Sequence, residues 1–139
     1  MAQDLERFIE AHAQHFHLAM NEIRSGKKRS HWMWFIFPQL KGLGFSDTAK
    51  YYSLKNLKEA EAFLDHPVLG KNLVAIASAL LKLEENNATS VFGKPDDMKL
   101  HSSISLFSLV PGADPVFRKL LDKFFEGNQD HQTIALLEK

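Results

Sequence analysis

No stretch of this 139-residue chain alternates apolar and polar residues at the two-residue period of a strand, whereas its apolar side chains recur at steps of three and four. That feature restricts the chain to helices packed on helices. The first stripe holds Leu5, Phe8, Ile9, Phe16, Ala19, Met20 and Ile23, with Asp4 placed to cap its start and Gly26 to stop its end. The apolar run 32–37 has no period that separates helix from strand and ends at Pro38; it reads as a short buried helix. Gly42, Leu43 and Gly44 form a loop, Ser46 or Asp47 caps a short helix through Tyr51 and Tyr52, and Asn56 caps another through Ala60, Phe63 and Leu64. Pro67 suits the first turn of a helix that carries Leu69, Leu73, Ile76, Ala77, Leu80 and Leu81 to about Leu83.

Residues 84–90 read as a polar connection and 92–95 as a turn, after which Asp96 or Asp97 caps a helix running to about Val110. Asp114 with Pro115 starts the next, which holds Phe117, Leu120, Leu121, Phe124 and Phe125 and stops at Gly127; Asp130 caps a last one with Ile134, Leu136 and Leu137. No linker divides the chain. The expectation is one compact all-α domain over residues 1–139, with about six to eight helices around a buried central one.

The central helix is the one starting at Asp96. Leu100, Ile104 and Phe107 form one apolar sector, and Met98, Leu106, Leu109 and Val110 spread apolar surface over most of the rest. Its continuous polar stripe is Asp97, His101, Ser105 and Ser108, while Lys99, Ser102 and Ser103 lie among apolar neighbours. Two readings follow. In one, Lys99 snorkels and the serines bond back to carbonyls a turn earlier. In the other, Lys99, Ser102 and Ser103 face a cavity and hold a phosphate or carboxylate.

Composition narrows the chemistry. With no cysteine, disulfides, Cys-ligated zinc, iron–sulfur clusters and thiol catalysis are excluded. Seventeen Lys and Arg balance seventeen Asp and Glu, which argues against an extended nucleic-acid surface or attraction to an anionic membrane. No apolar run reaches the roughly 20 residues of a membrane span, and Met1, Ala2, Gln3, Asp4 lack a basic flank and apolar signal core, so the chain reads as cytoplasmic. His12 falls on the first helix's apolar face and reads as a satisfied core histidine; the histidines offer no metal-ligand spacing, so no metal is expected. Neither G-x-G-x-x-G nor G-x-x-x-x-G-K occurs, and no cofactor is expected.

The second candidate feature is the run of three cations, Lys27, Lys28 and Arg29, followed by Ser30, His31, Trp32, Met33 and Trp34. Cations beside a histidine and two indoles suit an anion joined to a planar ring. Gln39 adds an amide, and the glycines at 42 and 44 let backbone N–H groups approach a ligand. The alternative is a solvated turn followed by core aromatics.

The run GKKRSHWMWFIFPQL at 26–40, followed by Gly42, Leu43 and Gly44, closely resembles the bacterial domain-of-unknown-function family 1810, some of whose members carry the label calpastatin. Further matches are His66, Pro67, Val68, Leu69 and Gly70; Phe92 and Gly93 with Asp97 and Lys99; Ser102 and Ser103 before Leu106 and Phe107; and Gly127 with Asp130. The resemblance spans Arg7 to Leu137 and implies an all-α single domain with no assigned activity. His12 stands where relatives often have Gln, and Ser105 where they often have Thr. The expected function is a small-ligand-binding protein or enzyme for a nucleotide or ADP-ribose-like phosphorylated metabolite. Its site is Trp32, Trp34, Gln39, Lys99, Ser102 and Ser103, with His31 and Asp97 as acid–base candidates. The contrasting expectation is a non-catalytic protein–protein interaction module. Neither a reaction nor an oligomeric state follows from the sequence.

Overall fold

The computed structural model describes residues 5–138, so Asp4, assigned as the first cap, lies outside them. Over these residues the chain forms nine helices and no strand, with one isolated bridge between Leu40 and Leu54. Helix α1 (Glu6–Arg24) ends as expected at Gly26, whose φ of +85° suits a residue without Cβ. Lys27 N donates to Glu22 O and Gly26 N to Ile23 O, the paired bonds of a Schellman stop. Helix α2 (Met33–Ile36) is the short buried helix expected in the aromatic run. Ser46 caps α3 (Asp47–Tyr51) and Asn56 caps α4 (Leu57–Asp65).

Helix α5 (Leu69–Leu81) begins two residues after Pro67, which lies in the preceding turn; His66 Nδ1 accepts from Val68 N and Leu69 N in place of a cap. Helix α6 (Ala88–Phe92) falls inside the segment assigned as polar connection and turn. A five-residue helix shows less than two turns of period, and its signal is Asn87, whose side chain accepts from Thr89 N and Ser90 N. This helix raises the count above the expected six to eight. Helices α7 (Asp96–Ser108), α8 (Val116–Phe125) and α9 (His131–Leu137) complete the chain, with Asp114 taking Val116 N and Asp130 capping α9.

Helix α7 is central, packed against α4, α6, α8 and α9. Its Leu100, Ile104, Leu106 and Phe107 are fully buried. A file of rings runs through the core: Phe8 meets Phe63 edge-on at 5.2 Å, Phe63 meets Phe107 at 5.5 Å, and Phe107 meets Phe117 at 5.7 Å. The polar stripe of α7 is not a solvent face. His101 Nε2 donates to Asn128 O at 2.7 Å and Ser105 Oγ accepts from Asp130 N at 2.9 Å, so the stripe is the seam that seats the chain before α9. Among the described residues no helix is long and apolar enough to cross a membrane.

Candidate functional site

The Schellman stop turns the chain back across the end of α1, and the basic run closes over the buried side chain of Glu22. Glu22 Oε1 accepts from Arg29 N at 2.8 Å, Ser30 N at 2.9 Å and Trp32 Nε1 at 2.9 Å, while Oε2 accepts from Ser30 Oγ at 2.6 Å. Burial by itself pushes this carboxyl up, but the four donors favour the charged form by more and bring it down to about 2. The segment is tied to α6 as well, through Lys28 N donating to Val91 O at 2.8 Å.

With its backbone held, the Lys28 side chain is aimed at α7. Its ammonium donates to Ser30 O, lies 2.8 Å from Asp96 Oδ2 and stands 5.0 Å from the centre of the Trp32 ring. Lys99 approaches the same carboxylate, with Nζ 3.6 Å from Asp96 Oδ1, and stands 5.0 Å from the centre of the Trp34 ring. The His31 ring is tilted 30° to Trp34 at 6.5 Å. Two ammoniums therefore share one carboxylate between two indoles. They differ in access: Lys28 is sealed at 7% side-chain exposure, and Lys99 is open at 24%. Trp32 is core, whereas Trp34 is partly exposed and His31 exposed.

The two segments singled out from the sequence thus meet through Lys99, Trp34 and His31, with Asp96 as the carboxylate between them. The other candidates are placed elsewhere. Ser102 turns toward α9, donating to Met98 O at 3.2 Å and Asp130 Oδ2 at 3.3 Å. Ser103 is fully buried and its Oγ has no hydrogen-bond partner among the described residues, so no ligand reaches it in this conformation. Gln39 sits at the Leu40–Leu54 bridge, its carbonyl accepting from Leu54 N at 2.9 Å. Asp97 is one residue, about 100°, around the helix from Asp96 and faces α6. Its carboxylate accepts from Thr89 Oγ1 at 2.5 Å and Met98 N at 2.8 Å, on the wall of a separate cleft of about 420 Å³ shared with His101 and Phe125. Asp97 therefore makes its contacts with α6 and the start of α7, and His31 makes its contact with Trp34.

Glu22 is the residue that sequence reasoning left out, while Lys28 stood in the candidate cation run but not among the expected site residues. The available signal was a carboxylate one turn before three consecutive cations, but spacing does not say which groups a turn will fold over. Elsewhere, His12 is a satisfied core histidine: Nε2 donates to Phe35 O at 2.9 Å and Nδ1 accepts from Asn72 Nδ2 at 3.1 Å. That pattern is the neutral ring, and burial, with a smaller contribution from His66, holds its pKa below the usual histidine value despite the bond to Phe35. Among the described residues no three His, Asp or Glu side chains are grouped to hold a metal ion.

No functionally curated protein matches the chain. Among solved structures, the crystal structure of the conserved hypothetical protein Rv1873 from Mycobacterium tuberculosis is 42% identical, covers 98% of this chain and 97% of that chain, and agrees in fold with a TM-score of 0.95. The model of the family described as protein of unknown function (DUF1810) matches residues 2–137, and the chain belongs to that family.

Proposed function

We propose that the chain binds a small anionic metabolite carrying a planar ring, of the nucleotide or ADP-ribose class, where Lys99 meets Trp34 and His31. One observation carries this reading: the open Lys99 ammonium stands over the Trp34 ring and shares its carboxylate partner, Asp96, with Lys28, which holds that carboxylate more closely. A phosphate that draws Lys99 away leaves Asp96 still paired, so the exchange strands no charge. The partly exposed Trp34 and the exposed His31, with Lys99 withdrawn to the phosphate, then supply the aromatic surface for the ring. Trp32, Lys28 and Glu22 serve as the rigid backing. With Asp97 on another face, His31 is the acid–base candidate at this site, and the proposal is of binding, with no reaction assigned. The proposed setting is the cytoplasm, where such phosphorylated metabolites are available.

The interaction-module reading draws on Phe45, which stands 83% exposed. It ranks second because scattered exposed apolar side chains such as Phe45, Tyr51 and Met98 are ordinary on a globular surface.

Calorimetric titration of ADP and ADP-ribose, with adenosine and inorganic phosphate as controls, tests the proposal. The two nucleotides should bind at least tenfold more tightly than either control and change Trp fluorescence. Lys99→Met should weaken them by about 1.5–3 kcal/mol, the scale for a charged hydrogen bond, with folding intact. Unchanged affinity in well-folded Lys99→Met protein, or no binding of either nucleotide by the parent, overturns it.

A further inference from the structure

Although cations and acids are equal in number, the fold gathers Lys41, Lys50, Lys55 and Lys58 along two neighbouring clefts that have Lys41 and Lys55 in common. None of these four lysines appears in an ion pair among the described residues. The acid in the second cleft, Glu59, is buried and already engaged, by Arg7 Nη2 at 3.5 Å and by Lys55 N at 3.0 Å. Its charge is turned inward, and among the residues lining the two clefts no other carboxylate faces the lysines.

The larger cleft, about 480 Å³, differs from a plain basic surface in its floor. Leu40, Leu57, Leu136 and Leu137 line it beneath Lys41, Lys55 and Lys58. The floor is held on two sides. Lys41 N donates to Leu54 O at 2.7 Å and Leu54 N to Gln39 O at 2.9 Å, clamping the loop to the segment before α4. Gly42, at φ +107°, lets the same loop lie against α9, where a Cβ would sit 3.4 Å from Leu136. A buried Leu40 and partly exposed Leu57, Leu136 and Leu137 in a cleft that three exposed lysines also line call for a ligand with an apolar body and an anionic end.

We infer that this groove is a second ligand site, distinct from the Lys99 surface, and that it binds a soluble phosphate monoester of a short alkyl chain. The phosphate lies among Lys41, Lys55 and Lys58, and the alkyl chain covers the four leucines. A bare phosphate leaves the floor wet. A polyanion such as a nucleic acid gains nothing from it. The recessed Leu40, only 3% exposed, is reached by a single chain that enters the groove and not by the plane of a bilayer.

The test is titration of hexyl phosphate into the full chain, followed by calorimetry and by amide chemical shifts, with inorganic phosphate, hexanol and phosphatidylserine-containing vesicles as separate arms. Hexyl phosphate should bind at least tenfold more tightly than inorganic phosphate or hexanol, with shifts confined to residues 40–42, 55–58 and 136–137. The double variant Lys55→Gln, Lys58→Gln should lose that binding by tenfold or more. Because these lysines are exposed, the variant folds normally. Lys99→Met should bind hexyl phosphate like the parent, so failure of the nucleotide proposal leaves this one standing and the reverse. Equal binding of hexyl phosphate and inorganic phosphate, shifts elsewhere, no saturable binding, or vesicle binding without hexyl phosphate binding each overturns the inference.

Discussion

Four donors from one short turn converge on the Glu22 carboxylate, and a buried donor left without an acceptor costs about 1–3 kcal/mol. Removing the carboxylate therefore strands two amides, a hydroxyl and an indole N–H at once, with partial relief from water entering at the exposed Arg29. Glu22→Ala should destabilise the chain by about 3–5 kcal/mol in urea unfolding, with a shifted Trp emission from the surviving fold. Glu22→Gln keeps the oxygen that serves three donors and should cost about 1–2 kcal/mol. Equal losses for the two would show that the oxygen Gln keeps does not serve the three donors and that the charged carboxylate is what holds the turn. Ser103 is the opposite case at this scale, a fully buried hydroxyl with no partner among the described residues.

At the scale of elements, the join between α4 and α5 shows how tightly two helices are set by one position. A Cβ built on Gly70 would lie 1.9 Å from Leu64 O, a backbone atom at the end of α4 that has no side-chain freedom to give. The same join uses His66 Nδ1 to receive the first free amides of α5, so helix start and helix crossing are built by residues four apart. Gly70→Ala should force the two helices apart and cost more than about 3 kcal/mol, read as a fall in the urea midpoint with an unchanged slope. A cost under about 1 kcal/mol would mean that the crossing is not fixed at this point. Helix α7 makes the complementary case. Its apolar residues meet neighbours on nearly every side, and its polar stripe is matched by the carbonyl of Asn128 and the amide of Asp130. A helix of this kind forms no stable unit until the others surround it.

For the whole molecule, acid stability should fall in two separate stages. His12 is held neutral, below its ordinary value of 6.5, so the unfolded chain takes up a proton first. The stability this ring supports is complete above about 6.5 and declines as the pH falls from there to its lowered folded value. Glu22 acts lower down: its contribution is complete above its ordinary 4.5 and is lost as the pH falls toward about 2. Urea unfolding across this range should show both declines, and His12→Gln, which keeps a donor and an acceptor but does not titrate, should remove only the upper one. An upper decline that persists in His12→Gln would assign it to another group. What the sequence determined by itself was local. Helix period, the caps at Ser46, Asn56 and Asp130, the stop at Gly26 and the centrality of α7 depend on residues within a few positions of one another, and the absence of strand alternation left one fold class. The tertiary structure decided everything that required two distant segments to meet. It brought Lys99 to Trp34 while turning Ser102 to α9, set Asp97 against Thr89 of α6, placed Glu22 beneath the basic turn and gathered lysines 41, 50, 55 and 58 along two neighbouring clefts. The reason is geometric: spacing along a helix fixes which side chains share a side, but a rotation of about 100° between neighbours, such as Asp96 and Asp97, assigns them to different partners, and only the packing of the other helices chooses those partners.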